Sequence, residues 1–447
     1  MNFNNLKSAI EAAAKAREIA EYEIYYMAST NSSMETLNGE INSFSSGNSG
    51  GLCLRLVVDG KMGYASTELM EEAEMTELVD RAIENAQNTE KLDTVGIFQG
   101  SESYETLNAP AYEKVDAEEL KKVALELAKE TYAASDKIQD GTATAAITEG
   151  IAIRLCNSHG LDLQNNVGVS GLMTQAVVCD HGEFESDYAI KKWTGTENLA
   201  EIAKETVDSA LEKIGADLVE SGKYNVIIDG KEMRSILSAF SPAFSAKNAQ
   251  MAMSLLRGKE GEVIASEAVT LTDDPMREGT SVQTYFDAEG VAAHRKNIIE
   301  KGVLKTLLHN RETAKIAGVE TTANASKSGY ASPIGISPYA FCIEAGEYSM
   351  DALMELAGNG IYITEVKGLH AGANAVTGDF SIESAGFLIK DGKKAGAVKS
   401  FTIAGNFFDL LKQISALSDK VEISALGGFT TFGSPAVLIK DMSVGGK

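Results

Sequence analysis

Histidine is the side chain most often used to hold the metal ion of a hydrolytic site. The chain has five, which are His159, His181, His294, His309 and His370. No two of them lie three to five residues apart, so no helix can present two imidazoles on one face. A zinc site of the usual protease kind would need remote histidines to converge. Each histidine taken alone is interpreted as a turn residue or a hydrogen-bonded strand residue.

Carboxylates are concentrated in two short segments, Asp273-Asp274-Pro275 and Asp287-Ala288-Glu289-Gly290. Paired carboxylates can act as acid and base or bind a hard cation. Asp before Pro and Glu before Gly are also common in turns, and we favour that structural interpretation. A hydrolase that works alone, using Asp287 and Glu289 with a divalent cation, stays open as an alternative.

A Gly- and Ser-rich stretch at residues 45–51 invites comparison with a phosphate-binding loop. It lacks the Lys-Ser/Thr ending of such loops, and the residues that follow favour a strand over a helix N-terminus. We predict a flexible hairpin connection there.

Two segments, residues 372–381 and 402–411, are rich in small and polar side chains, as expected where the backbone approaches a ligand closely. Tight turns between strands are the alternative interpretation. In the second segment Asn406 can also cap the helix that follows. The candidate substrate contacts are Asn374, Thr377, Asp379, Ser381, Gly405 and Asn406.

The first region reads as a helix, several strands and a second helix at residues 74–87, with Asp59-Gly60 as a hairpin signal. The same order of helix and strands returns after a polar connector, with a helix predicted at residues 117–134 and strands near residues 142–147 and 151–156. Gly51-Leu52 is echoed by Gly171-Leu172. We therefore predict an N-terminal αβ domain, residues 1–221, with an internal duplication into subrepeats 1–92 and 114–221.

The sequence pattern changes near residue 222, where a series of short predicted strands begins. Only a few helices are predicted among them, near residues 311–316, 349–356 and 407–417. Strand predictions include residues 290–303. Segregated strands and helices favour an α+β fold over a doubly wound sheet. The prediction is a strand-rich, largely antiparallel C-terminal domain covering residues 222–447.

The net charge of −24 opposes binding to nucleic acid or to an anionic membrane surface, and no basic patch offsets it. The four cysteines are far apart and show no Cys-x-x-Cys spacing, which favours buried reduced thiols. No segment has the length and apolarity of a signal peptide or a membrane span. A cytoplasmic location is expected.

The two polar segments and four shorter blocks together resemble the TldD/PmbA family, long described as modulators of DNA gyrase. The shorter blocks are residues 273–275, 286–291, 302–304 and 322–325. The resemblance is clearest over residues 224–447, and the first region matches with weaker motifs.

The TldD type in this family resembles a zinc peptidase with a His-Glu-x-x-x-His helix, and the PmbA type, also called TldE, is its partner without those ligands. This chain is similar to the partner. When residues 232–250 are aligned through Ile236-Leu237, the family's first His, Glu and second His fall at Ser238, Ala239 and Ala243. Pro242 should also interrupt a regular helix there.

The resemblance implies a non-catalytic, substrate-positioning subunit of a heteromeric zinc metalloprotease that acts on small or unfolded peptides. It implies no catalytic residue, metal ligand or cofactor in this chain, with Zn²⁺ held by a TldD-type partner subunit carrying the two-histidine helix. Self-association as a homodimer is expected when that partner is missing. A regulatory binding protein with no part in proteolysis is the second hypothesis.

Overall fold

The computed structural model describes residues 3–90, 92–107, 115–280 and 282–447. The fold is α+β, as predicted, with an N-terminal αβ region followed by a strand-rich, largely antiparallel region. The elements of the N-terminal region are α1 (Phe3–Ala16), β1 (Tyr22–Leu37), β2 (Glu40–Val58), β3 (Lys61–Thr67), α2 (Glu72–Asn88), α3 (Ala117–Ala134), β4 (Ala143–Asn157), β5 (Asp162–Asp180), β6 (Glu183–Lys192) and α4 (Leu199–Glu212).

The N-terminal elements form two units of identical order, helix, three strands, helix. The six strands make one antiparallel sheet in the order β3-β2-β1-β4-β5-β6, and β1 and β4 meet at its centre. Thr30 faces Gly150 in the middle of that central pair. Gly171 follows Gly51 by the same 120 residues that separate Gly150 from Thr30. The echo in the sequence therefore marks equivalent positions of the two units, and the predicted duplication stays a prediction.

The prediction of a hairpin connection at residues 45–51 was wrong, because this stretch lies inside β2. Residues 22–37 likewise form one continuous strand, β1. Serine hydroxyls pair across these two strands, Ser29 with Ser49 at 2.8 Å and Ser32 with Ser46 at 3.0 Å. Cross-strand hydroxyl pairs of this kind stabilise a ladder whose local sequence is typical of a loop.

One face of the sheet is covered by the helices, because apolar residues on alternate strand positions meet the apolar stripe of each helix. Leu54 of β2 packs with Ile10 of α1 and Leu78 of α2. Leu172 of β5 packs with Leu120 of α3 in the second unit. The opposite face is left to contact the C-terminal region.

The C-terminal region contains two larger sheets around a shared apolar core. Its strands are β7 (Asp217–Leu218), β8 (Gly222–Ile228), β9 (Leu271–Asp273), β10 (Lys296–Glu300), β11 (Val303–Leu304), β12 (Ala325–Ser326), β13 (Gly335–Ile336), β14 (Ala340–Ile343), β15 (Gly360–Lys367), β16 (Asp379–Lys390), β17 (Lys393–Asn406), β18 (Ile414–Leu417), β19 (Glu422–Ile423), β20 (Thr431–Ser434) and β21 (Val437–Gly445). Its helices are α5 (Gly230–Phe240), α6 (Ala246–Gln250), α7 (Arg311–Ala317), α8 (Met350–Ala357), α9 (Leu369–Gly372) and α10 (Phe407–Gln413).

The first of these sheets has the order β18-β21-β8-β15-β16-β17-β7, and it closes on itself because β21 also pairs with β17. The second has the order β11-β10-β9-β14-β20-β19. β7 joins the closed sheet although it lies before residue 222, and the predicted domain limits stay a prediction. The helix predicted for 407–417 ends at Gln413, since Ile414–Leu417 pairs with β21. Residues 290–303 contain the short strand β10 and end on the first residue of β11.

Candidate functional site

Helix α5 occupies the position where the family alignment expects a metal-binding helix. It begins with a cap, since Asp229 Oδ1 accepts a hydrogen bond of 2.9 Å from the Lys231 backbone N–H. It ends at Phe240, where a short 3₁₀ turn over Ser241–Phe244 contains Pro242. Proline cannot donate a backbone hydrogen bond, so the regular helix cannot continue. The predicted interruption is confirmed.

The side chains at the three aligned positions do not fit a zinc ion. Ser238 and Ala239 are half-buried near the end of α5, and Ala243 is fully buried beyond it. They offer one hydroxyl and two methyl groups, whereas zinc sites are built from imidazole, thiolate and carboxylate donors. Across the described ranges of the chain, no three His, Cys, Asp or Glu side chains come together as a metal site would require.

The five histidines are dispersed in the fold. His159, His181, His294 and His370 are exposed. His181 forms the turn between β5 and β6 with a φ of 49°. His309 is buried, its Nδ1 has no hydrogen-bond partner among the residues that the structure describes, and burial lowers its pKa.

The two polar loops predicted to contact substrate lie against each other. Asn406 Nδ2 donates to Asp379 Oδ1 at 3.1 Å and to the Thr377 carbonyl at 2.9 Å. Asn406 Oδ1 accepts a hydrogen bond from Phe408 N–H at 3.1 Å, which confirms its predicted role as a helix cap. The hydrogen bond from Asn406, followed by one from Thr377, lowers the pKa of Asp379. The carboxylate is therefore held charged at the surface.

Hydrogen bonds within the first loop fix its shape. Asn374 N–H donates to the Asp379 carbonyl at 2.9 Å, and Gly378 N–H donates to the Asn374 carbonyl at 2.8 Å. Ser381 lies two residues further along β16, where it pairs with Ala404 and shares the exposed strand face with Asp379. Gly405 faces Phe380 in the same ladder. Hydrogen bonds thus join Asn374, Thr377, Asp379 and Asn406, and Gly405 and Ser381 lie beside this cluster in the β16–β17 ladder.

The loop pair lies beside the C-terminal end of α5, because aromatic rings join the two. Phe240, the last residue of α5, stacks on Phe407 with ring centroids 4.5 Å apart. The rings of Phe240 and Phe380 are packed edge to face, with their centroids 6.4 Å apart. Phe380 and Phe407 directly follow Asp379 and Asn406 in the chain. The candidate contact residues and the aligned metal positions therefore lie in one region of the fold, which we call the α5 site.

The carboxylates singled out in the sequence are used inside the protein. Asp287 is buried and accepts three backbone hydrogen bonds of 2.9 to 3.1 Å, from Glu289, Val291 and Ala325. Burial, followed by the charge of Glu289, raises its pKa. Asp273 accepts from Asn324 Nδ2 at 2.7 Å, and it pairs with Lys296 at 3.1 Å. These contacts agree with the structural interpretation of both segments.

Two charged features were missed in the sequence. Glu232 lies on the buried face of α5, one turn before Ile236, and accepts a hydrogen bond from Val366 N–H at 3.2 Å. Burial raises its pKa to about 7. Arg55 and Glu23 form a buried ion pair with two hydrogen bonds of 2.7 and 2.9 Å. Helical spacing identifies the position of Glu232, but nothing local connects Glu23 to Arg55.

Comparison with known proteins follows the same division of the chain. Residues 22–86 match domain 1 of the PmbA/TldA metallopeptidases, residues 110–214 match the central domain, and residues 221–446 match the C-terminal domain. These matches cover most of the sequence, and the chain belongs to this family, the TldD/PmbA family of the sequence analysis.

Relatives of similar length support the assignment. A metalloprotease of Methanocaldococcus jannaschii is 26% identical over 93% of each chain. The metalloprotease PmbA of Escherichia coli O157:H7 is 24% identical over 98% of this chain and 96% of its own. A crystal structure from Thermotoga maritima, described as a candidate modulator of DNA gyrase, has a TM-score of 0.89 and 29% identity, with 99% of this chain and 100% of that chain covered.

The structure of TldE from Thermococcus kodakarensis also has a TM-score of 0.89, over 99% of this chain and 100% of that chain. Its identity is 22%, so this likeness concerns the fold. None of the helices in the described residues is long and apolar enough to cross a membrane.

Proposed function

We propose that the protein is the non-catalytic, substrate-positioning subunit of a TldD/PmbA-type heteromeric zinc metalloprotease that acts on small or unfolded peptides. The observation that carries the proposal is the α5 site. At the family's metal position this chain has Ser238, Ala239 and a fully buried Ala243, with the helix interrupted at Pro242. These groups can neither bind zinc nor take a proton from a water molecule.

The work of the complex is then divided between two chains. The TldD-type partner supplies Zn²⁺, which activates water when bound there. This chain supplies a preorganised polar surface beside α5, with the Asp379 carboxylate held by Asn406. A surface of fixed hydrogen-bonding groups can orient a peptide backbone without taking part in bond cleavage.

A regulatory binding protein without a role in proteolysis is the second candidate. The name of the Thermotoga maritima structure, which refers to DNA gyrase, favours it. The net charge of −24 opposes direct contact with DNA, so such regulation would act through a protein partner. A metal-dependent hydrolase built on Asp287 is disfavoured, since its oxygens already accept three backbone hydrogen bonds.

The test is peptide cleavage by a complex reconstituted from this chain and a family member with the two-histidine helix. Changing Asp379→Ala or Asn406→Ala should lower turnover roughly 3- to 10-fold, the effect of losing a hydrogen bond worth about 1 kcal/mol. Assembly, followed by analytical ultracentrifugation, should be unchanged. The matched control is Asp351→Ala, an exposed aspartate at the start of α8.

Turnover equal to wild type in both variants would remove the loops from the site. No gain in cleavage on mixing the two chains would favour the regulatory hypothesis. Cleavage of peptides by this chain alone would contradict the division of labour.

A further inference from the structure

A cavity of about 490 Å³ lies between the β3 edge of the N-terminal sheet and the C-terminal region, within the range typical of sites for small molecules. We call it the seam cavity. Its lining includes, from the N-terminal region, Arg55, Met62 and Tyr64, and from the C-terminal region Glu289, Asn310 and Ile334. None of the described residues that line it belongs to the α5 site.

The N-terminal wall presents a buried cation beside a phenol. Arg55, which is 3% exposed, and Tyr64 lie directly opposite each other in the β2–β3 ladder. Arg55 donates from Nε and Nη2 to Glu23, at 2.7 and 2.9 Å, so Nη1 is its remaining donor group. Burial raises the pKa of the Tyr64 phenol, and the neighbouring guanidinium opposes this effect.

Glu289 brings a buried carboxylate to the same space. It is 2% exposed, and its Oε1 lies 3.9 Å from Arg55 Nη1, which is beyond hydrogen-bonding distance. Its Oε2 accepts a hydrogen bond of 2.9 Å from Arg311 N–H, and no described residue donates to Oε1. The cation and the carboxylate are therefore adjacent without being joined.

Asn310 adds a donor that the fold does not use. Its side chain is buried, and its Oδ1 accepts a hydrogen bond of 2.9 Å from Thr313 N–H. Within the described part of the chain, its Nδ2 donates to no other residue. Buried polar groups normally have partners, so an unused donor and an unused acceptor in the lining of one cavity indicate a ligand.

The charges around the seam cavity favour a positive group next to Glu289. Burial raises the pKa of Glu289, although Arg55 opposes the effect. The other charged residues among those described in the lining are Asp93, Lys247 and Glu312. With Arg55 and Glu289 they make two positive and three negative groups, which disfavours a simple anion as the ligand.

We propose that the seam cavity binds a free α-amino acid with an apolar side chain, its ammonium group on Glu289 Oε1 and its carboxylate on Asn310 Nδ2 and Arg55 Nη1. An α-amino acid carries its two charged groups on one carbon atom. One small molecule can therefore join the adjacent cation and carboxylate of the lining by charge-assisted hydrogen bonds. As a zwitterion it also leaves the net charge of the cavity unchanged.

The apolar part of the lining provides room for the side chain of the ligand. Met62, Val95 and Ile334 lie there, and the volume of the cavity admits a side chain as large as that of leucine. The proposal goes beyond the proposed function, because binding of a free amino acid needs neither zinc nor a partner subunit. A ligand that contacts both regions also stabilises the folded chain.

The experiment is titration of this chain alone with L-leucine in an isothermal calorimeter, with the melting temperature as a second readout. We expect one leucine per chain and a rise in the melting temperature. N-acetyl-leucine lacks the ammonium group and leucinamide lacks the carboxylate. Each should bind about tenfold more weakly than leucine, the effect of losing one charge-assisted hydrogen bond.

The variant Asn310→Asp tests the location. It keeps the oxygen that caps α7 and replaces the Nδ2 donor by a second carboxylate oxygen, so it should reverse the preference between leucine and leucinamide. The matched control is Asn198→Asp at the cap of α4, which should leave the preference unchanged. The variant Glu289→Gln, if its melting temperature shows that it is folded, should bind leucine about tenfold more weakly.

Equal binding of leucine and N-acetyl-leucine would overturn the role of Glu289. A preference for leucine over leucinamide that persists in Asn310→Asp would overturn the seam cavity as the location. Tighter binding of the dipeptide Leu-Gly than of leucine would assign the cavity to peptide N-termini and contradict a site for free amino acids. No binding of leucine to the folded wild-type chain at millimolar concentration would overturn the proposal altogether.

Discussion

Glu232 lies on α5, the helix aligned with the family's metal-binding helix, but it takes no part in a catalytic arrangement. Its surroundings explain its raised pKa. It is 6% exposed, and burial is the main cause that raises its pKa to about 7. In the unfolded chain the same group ionises near its ordinary value, about 4.3. Between these two values the folded state binds more protons than the unfolded state, so this residue makes stability fall as pH rises.

The variant Glu232→Gln is neutral at every pH and should remove that loss. Relative to wild type, its stability should be similar near pH 4 and higher above pH 7, by an amount on the order of 3 kcal/mol. Thermal unfolding across this pH range measures the difference. The exposed helical variant Glu84→Gln is the control. A stability difference that does not change with pH would show that Glu232 is charged in the folded protein throughout.

Residue-level prediction from the sequence succeeded where the chemistry is local. Asn406 was predicted as a helix cap, which the structure confirms, and its contact with Asp379 follows from the β16–β17 pairing. Ser381 was placed in the same group, and alternation along β16 puts its side chain on the exposed face that Asp379 also occupies. The ion pair of Glu23 with Arg55 joins residues on neighbouring strands, which no local pattern encodes.

At the scale of elements, α5 shows why the family's metal helix cannot be restored by substitution of two residues. Ser238 is on the helix, whereas Ala243 lies in the 3₁₀ turn after it and is fully buried in the core. Two ligands supplied by one helix must be held in a fixed relation to bind one metal ion, and the turn breaks that relation.

The double variant Ser238→His with Ala243→His should therefore bind no stoichiometric zinc. It should also lower the melting temperature, because an imidazole at the buried position overpacks the core at a cost of about 1–3 kcal/mol. Zinc by atomic emission and thermal unfolding provide the readouts, with Ser238→His alone as the matched control. One zinc per chain in the double variant would contradict the account of α5.

Helices and strands were predicted correctly where the residues that determine them are close together in the sequence. Helices with caps and apolar spacing, such as α3 and α7, were predicted close to their observed bounds. Residues 45–51 were assigned to a connection because Ser, Gly and Asn are typical of loops, yet pairing with β1 along its whole length keeps them in β2. The predicted end of α10 was wrong because Ile414–Leu417 pairs with β21 and is therefore a strand of the closed sheet.

At the scale of the molecule, the two regions are joined by buried charge and by shape. Arg55, already paired with Glu23, approaches Glu289 of the C-terminal region at 3.9 Å. Glu289 also accepts a hydrogen bond from Arg311 N–H at 2.9 Å. A buried charge that loses its partner is costly, so this network favours one fixed arrangement of the regions. Such long-range contacts lie beyond sequence patterns.

The central claim is that this chain contributes to peptide cleavage without holding the metal. Its most direct test is native mass spectrometry of the complex co-expressed with a two-histidine family member, followed by dissociation into subunits and measurement of zinc on each. The account predicts one zinc on the partner chain and none on this one. Stoichiometric zinc that stays with this chain after dissociation would contradict it.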